Sequence, residues 1–149
     1  MNNYFQVRIR VTKNVKEKPK RIFEVYLVQA YSFTEAEANI TKALMDIQEY
    51  KTMTISSIDR YPIDSIYNFD FSGKYWICKV DLTATNEKPI KLRYLVNETN
   101  AESAAEKLKS VLENNSTLNH EILSISSSPI VEIFEQTTKE KTDAHNQGK

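Results

Sequence analysis

One cysteine, two glycines and no excess of either charge limit what this 149-residue chain can be. A lone cysteine excludes a disulfide framework and any zinc or iron–sulfur site built from several thiolates. Two glycines are too few for a phosphate-binding loop or a dinucleotide fingerprint. Twenty Lys and Arg against twenty Asp and Glu leave a formal net charge of zero. That balance argues against a bulk polyelectrolyte binder and leaves local segregation of charge open. No apolar run reaches the roughly 18 residues of a membrane-spanning helix, so no membrane association is expected. The opening MNNYFQVRIRV has no charged segment followed by an unbroken apolar one, so no secretory leader is expected and the predicted location is cytoplasmic. What the chain does have is 40% apolar residues and 10% aromatics, enough for an ordinary core at this length.

The chain is written twice. Tyr4–Thr12 aligns with Tyr75–Thr83 at an offset of 75 − 4 = 71, aromatic on aromatic and apolar on apolar. Tyr26-Leu27-Val28 aligns with Tyr94-Leu95-Val96 at 94 − 26 = 68, and the helix candidates that follow keep that offset. Ile55, Ile58, Pro62, Ile63 and Ile66 align with Ile122, Ile125, Pro129, Ile130 and Ile133 at 122 − 55 = 67. The shifts fall in connections, where length changes are tolerated.

Each copy reads strand, strand, helix, strand. Phe5, Val7, Ile9 and Val11 alternate with Tyr4, Gln6, Arg8 and Arg10, which predicts a strand with one buried face. Residues 13–20, KNVKEKPK, read as a polar loop, with 84–89 as its counterpart. Ser32-Phe33-Thr34-Glu35 has capping-box spacing, and Asn100 is the matching cap. The expected helix stripes are Phe33, Ala36, Ile40, Ala43, Leu44 and Ile47, and Ala101, Ala104, Leu108, Val111 and Leu112. Each closing strand, starting near Met53 or Glu121, runs to a proline that cannot donate to a ladder. A short apolar piece follows, Ile63–Tyr67 or Ile130–Phe134. The prediction is an α+β fold: duplicated ββαβ units forming a mostly antiparallel sheet with two helices on one face. One domain is expected over residues 1–135, with repeats at 1–67 and 75–135 related by a pseudo-twofold axis. The polar tail 136–149 is expected to be disordered.

The residues of catalysis are scarce. His120 and His145 have no plausible Ser or Cys neighbour, and Cys78 falls on the inward register beside Trp76, Val80 and Leu82. Glu35, Glu37, Glu102 and Glu106 fall in helix first turns or on solvent faces, where the helix dipole accounts for them. Asp59, Asp64, Asp70 and Asp81 are conceivable magnesium ligands, yet Arg10, Ser126 and Val131 stand where the other copy has Asp81, Asp59 and Asp64. Glu49-Tyr50-Lys51 matches a nuclease-like E-x-K, a triplet too common to carry weight. No enzyme activity, cofactor or metal is expected.

What remains is a basic and aromatic sheet face. If helices cover the Phe5 side, the other side carries Tyr4, Arg8, Arg10, Arg21 and Phe23 from copy one. Copy two adds Tyr75, Lys79, Lys91 and Arg93. Residues 1–32 hold seven Lys or Arg against Glu17 and Glu24. Cations for phosphates interleaved with rings for bases is the composition of single-stranded nucleic-acid binders. The expected contacts are Tyr4, Arg8, Arg10, Arg21, Phe23, Tyr75, Lys79 and Arg93. Basic residues are also the ordinary content of a solvated antiparallel face. Phe23, Val25 and Leu27 facing outward read equally as a homodimer or protein-partner seam.

Tyr26-Leu27-Val28-Gln29-Ala30-Tyr31-Ser32-Phe33-Thr34-Glu35-Ala36-Glu37-Ala38, with the Tyr4-Phe5-x-Val7-x-Ile9 strand and Ile58-Asp59-Arg60, resembles an uncharacterised domain family of gut anaerobes and their tailed phages. The resemblance spans roughly residues 1–135. It implies a small intracellular phage or prophage protein acting in DNA metabolism, transcription, virion assembly or interference with host defences, and it brings no catalytic residues.

Overall fold

Main-chain pairing carries the first two strands beyond the segment in which apolar and polar residues alternate. In a computed structural model that describes residues 3–83, 87–115 and 119–135, β1 spans Tyr4–Val15 and β2 spans Lys18–Gln29. They pair antiparallel from Tyr4↔Gln29 to Val15↔Lys18. Only Lys16 and Glu17 turn the chain, with φ of 53° and 67°. The expected 13–20 loop is therefore a two-residue hairpin turn. Positive φ at both central residues matches the right-handed twist of the flanking strands, which outweighs the steric cost for two non-glycine residues.

Both predicted caps form. Ser32 Oγ accepts the Glu35 N–H at 3.0 Å and opens α1, Phe33–Leu44. The Glu35 carboxylate reaches back to the Tyr31 N–H, one residue before the cap. Asn100 Oδ1 accepts the Ser103 N–H at 2.8 Å before α2, Ala101–Asn115. Ala36, Ile40 and Leu44 are buried on α1. The expected stripe overruns at Ile47, which is exposed because the helix has ended and a 3-10 turn, Gln48–Tyr50, follows.

β3 (Thr54–Arg60) pairs antiparallel with β1, and β7 (Asn119–Ser127) pairs antiparallel with β5 (Lys74–Thr83). The duplication extends to their irregularities. Arg8↔Ser57 is followed by Ile9↔Ile55, leaving Ser56 as the extra residue. Lys79↔Ser124 is followed by Val80↔Ile122, leaving Leu123 in the corresponding place.

After each proline the chain changes sheet. β4 (Ser65–Asn68) runs parallel to β6 (Ile90–Glu98), and β8 (Ile130–Phe134) runs parallel to β2. The two pairings share one register: Ser65↔Tyr94, Ile66↔Leu95 and Tyr67↔Val96 repeat Glu132↔Tyr26, Ile133↔Leu27 and Phe134↔Val28. Each repeat thus gives its last strand to the other repeat's sheet. The fold is α+β with mostly antiparallel strands, as expected, and among the described residues two helices accompany two four-stranded sheets, β3-β1-β2-β8 and β4-β6-β5-β7.

Two compact units result, residues 3–61 with 130–135, and Pro62–Pro129. In the first, Phe5, Val7, Ile9, Val11, Tyr26 and Val28 pack under Ala36, Ile40 and Leu44 of α1. Phe134 stacks on Tyr26 at 5.5 Å. In the second, Cys78, Val80, Tyr94 and Val96 pack under Ala104, Leu108 and Leu112 of α2. Burying each such Leu, Ile, Val or Phe contributes roughly 1.5–3 kcal/mol. The tail at 136–149 lies outside the described residues.

Candidate functional site

Strand alternation sends every second residue of β1 and β2 away from α1. In the first unit Arg10 stands opposite Phe23, Arg8 opposite Val25 and Thr12 opposite Arg21. Arg8 lays its guanidinium over the Phe23 ring, 4.2 Å from the centroid. Phe23 is still 49% exposed, and Arg8, Arg10 and Arg21 are exposed. Among the described residues none of these arginines forms an ion pair. Asp59, opposite Gln6 on β3, is the carboxylate that shares their face.

Two expected contacts need correction. Tyr4 lies on the outward register but is only 7% exposed, and its hydroxyl donates to Glu135 at 3.1 Å. Burial first, then the Glu135 charge and hydrogen bond, pushes that hydroxyl's pKa up. Tyr4 offers no free ring for stacking. Leu27 is fully buried and Val25 half-buried, and β8 lies along β2, pairing Ile130 with Val25 and Ile133 with Leu27. An outward Phe23-Val25-Leu27 strip therefore reduces to Phe23 and the edge of Val25.

In the second unit Lys79 stands directly opposite Arg93, and Lys91 opposite Asp81. Lys91 meets Asp81 at 3.4 Å. Tyr75 is half-buried at the start of β5. Lys79, Lys91 and Arg93 border an open cleft of about 510 Å³. Asp64 is stitched across Arg93: its carboxylate accepts the Arg93 N–H at 2.8 Å and its own N–H donates to the Arg93 carbonyl at 2.8 Å.

The carboxylates considered for magnesium are dispersed. Asp70 accepts the Ser72 hydroxyl at 2.6 Å and N–H at 3.0 Å, bonds that hold its pKa below the ordinary value. Asp64 and Asp81 are engaged as described. Among the described residues no group of three His, Cys, Asp or Glu is placed to hold a metal ion. Cys78 is fully buried, and burial pushes its thiol up to about 11, which removes thiolate at neutral pH.

One polar cluster escaped the sequence reading. Glu24 sits in the inward register of β2, and its carboxylate accepts hydrogen bonds from Tyr50 at 2.6 Å, Tyr26 at 2.7 Å and Lys13 at 2.9 Å. Burial alone raises the Glu24 pKa, but the Lys13, Tyr50 and Tyr26 hydrogen bonds together hold it below the usual carboxylate value. A charged residue between Ile22 and Tyr26 on a core-facing register was the available signal. Leu92 occupies the same position in the second copy, so the cluster belongs to one repeat.

Fold and surface together define a duplicated α+β protein with basic residues on the sheet faces its helices leave uncovered. The chain belongs to the family described as Domain of unknown function (DUF4494), whose model matches residues 3–136. Comparison with curated proteins gave no match. Among the described residues no helix is long and apolar enough to cross a membrane.

Proposed function

We propose that this is a non-catalytic, phage-type cytoplasmic protein that binds single-stranded nucleic acid through its basic sheet surface. The observation that carries the reading is the half-exposed Phe23 ring bracketed by Arg8 at 4.2 Å and by Arg10 directly across the ladder. Arg21 extends the same face. Three cations without ion pairs among the described residues attract phosphates, and an aromatic ring backed by a guanidinium is a platform for a base. Tyr75, Lys79 and Arg93 form a second basic patch on the other unit.

The test is a fluorescence-anisotropy titration of a labelled, 5′-hydroxyl oligothymidylate at low and moderate salt. Saturable binding that weakens with salt is expected. Each phosphate neutralised on a single strand contributes about 0.7 to the slope of log affinity against log salt, so Arg8→Ala with Arg10→Ala should flatten that slope by about 1.4. Both side chains are exposed, so the melting temperature should hold. An unchanged slope and affinity in the double variant removes the site.

A second reading, a homodimer or assembly seam, is favoured by the exposure of Phe23 beside Val25. It predicts that Val25→Lys lowers the mass seen by light scattering. A parental mass that is unaltered, or already monomeric, counts against it.

A further inference from the structure

The two repeats carry different side chains at several aligned positions around the second sheet. Lys79, Lys91, Arg93 and Leu123 of the second repeat stand where the first has Arg8, Phe23, Val25 and Ser56, and Asp64, brought to the second unit by the first repeat's last segment, stands where the second repeat has Val131. The substitutions gather three cations at one cleft of about 510 Å³, the size of a small-molecule site. Lys79 and Arg93 face each other directly across the β5–β6 ladder, an arrangement of like charges that destabilises a sheet unless an anion lies between them.

The neighbouring carboxylates do not serve as that anion. Asp64 directs one carboxylate oxygen to the Arg93 main-chain N–H, and Asp81 pairs with Lys91. Among the described residues neither Lys79 nor Arg93 has an ion-pair partner. Two uncommitted cations, one a planar fork, match the charge of a dianionic phosphoryl group better than the single charge of a phosphodiester. Beside them, Ile63 and the bulged Leu123, which is 47% exposed, form an apolar wall.

We infer that the cleft between Lys79, Arg93, Ile63 and Leu123 is a binding site for a phosphate monoester of nucleotide size. Lys79 and Arg93 hold the phosphoryl group, and the organic part lies against Ile63 and Leu123. The monoester has two sources, a free mononucleotide or the 5′-phosphorylated end of a strand. The site is independent of the Arg8–Phe23 face.

The experiment titrates the full chain with inorganic phosphate and with adenosine monophosphate, followed by amide chemical shifts. In parallel it compares 5′-phosphorylated with 5′-hydroxyl oligothymidylate by anisotropy. Saturable shifts at Lys79 and Arg93 with adenosine monophosphate assign the free nucleotide. Preference for the phosphorylated end without saturation by adenosine monophosphate assigns the strand terminus. In either case Lys79→Met should weaken the response by about tenfold, the loss of one charge-assisted contact. Lys79 is exposed, so this variant should fold, and it decides the matter if Arg93→Gln does not. Absence of any saturable phosphate-dependent response at low salt, or a response unchanged in Lys79→Met, overturns the site. Binding of the 5′-hydroxyl oligonucleotide is read separately: it tests phosphodiester binding by either basic patch, and only the gain from a phosphate monoester bears on this site.

Discussion

Replacing Glu24 by Gln changes one atom type and isolates what the carboxylate does for the first unit. The side chain is 12% exposed and accepts three hydrogen bonds of 2.6, 2.7 and 2.9 Å. Hydrogen bonds to a charged group contribute about 1.5–3 kcal/mol each. Both tyrosines donate to Oε1, so a Gln oxygen there keeps them as neutral bonds, each weaker by about 1 kcal/mol, while its amide turns two donors toward the Lys13 ammonium on the Oε2 side. Lys13, 25% exposed, recovers part of its loss by turning to water, which discounts its ion pair. The net cost is about 2–3 kcal/mol, a fall in melting temperature of roughly 5–10 °C for a chain of this size. The sign with pH follows from the lowered Glu24 pKa: the folded state binds the proton less tightly than the unfolded chain. Its contribution is therefore complete above the ordinary carboxylate range and is lost as pH falls through the depressed folded-state value. Burial and hydrogen bonding push the Tyr26 hydroxyl up, so it remains a donor throughout. Urea unfolding of parent and variant should show the full gap near neutrality and a closing gap below about pH 4. A gap under about 0.5 kcal/mol at neutral pH, or one of equal size in acid, refutes the reasoning, since surface substitutions alone reach that figure.

Two further variants test the backbone. A Cβ on Gly73 would clash with the Glu98 carbonyl carbon, come within 2.5 Å of its oxygen and lie 2.8 Å from the Thr99 nitrogen. All are main-chain atoms of the adjoining strand end, so Gly73→Ala should cost about 1–3 kcal/mol in thermal unfolding; a neutral result would place that strand end elsewhere. Glu17→Gly relieves a left-handed φ of 67° in the hairpin turn and should stabilise by about 0.5–1 kcal/mol, with a rise of a few degrees in melting temperature. A loss of stability there would argue against the two-residue turn.

Local patterning revealed the elements and their duplication because both depend on short-range spacing. Alternation in Phe5, Val7, Ile9 and Val11, and the caps at Ser32 and Asn100, are set by neighbours within four residues. The shared bulges at Ser56 and Leu123 follow from the same repeat. Residues 13–20 misled because Lys, Asn and Pro dominate both ends of a hairpin whose strands stay paired to the last residue before the turn. Alternation puts Tyr4 and Leu27 on the correct face and gives the wrong environment for both. Alternation tells which side of a strand a residue occupies, while its burial depends on distant chain, such as Glu135 on the Tyr4 hydroxyl. Lys79 opposite Arg93 depends on the same long-range register, so their convergence could be proposed from the sequence but not established there.

The exchanged strand is the clearest case of information that local sequence lacks. Pro62 ends the ladder of β3 and forces Tyr61 toward extended geometry, so the next apolar segment leaves the hairpin path. Two sheet edges then accept it on nearly equal terms, β2 and β6, since Tyr26-Leu27-Val28 and Tyr94-Leu95-Val96 present the same pattern. The partner side chains match too, for Phe134 stacks on Tyr26 and Tyr67 lies against Tyr94, each at 5.5 Å. A fragment ending after β4, residues 1–69, keeps β2 and β4 but loses β8 and β6. Its β4 is too close in sequence to Arg60 to reach its own β2, whereas it fits the β2 of a second copy in the register seen here. The fragment should accordingly sediment as a dimer with protected β2 amides, and Ile66→Asp should return it to an unfolded monomer. A folded monomeric fragment with β2 amides protected would show that the edge needs no donated strand, and the strand exchange would then be incidental to stability.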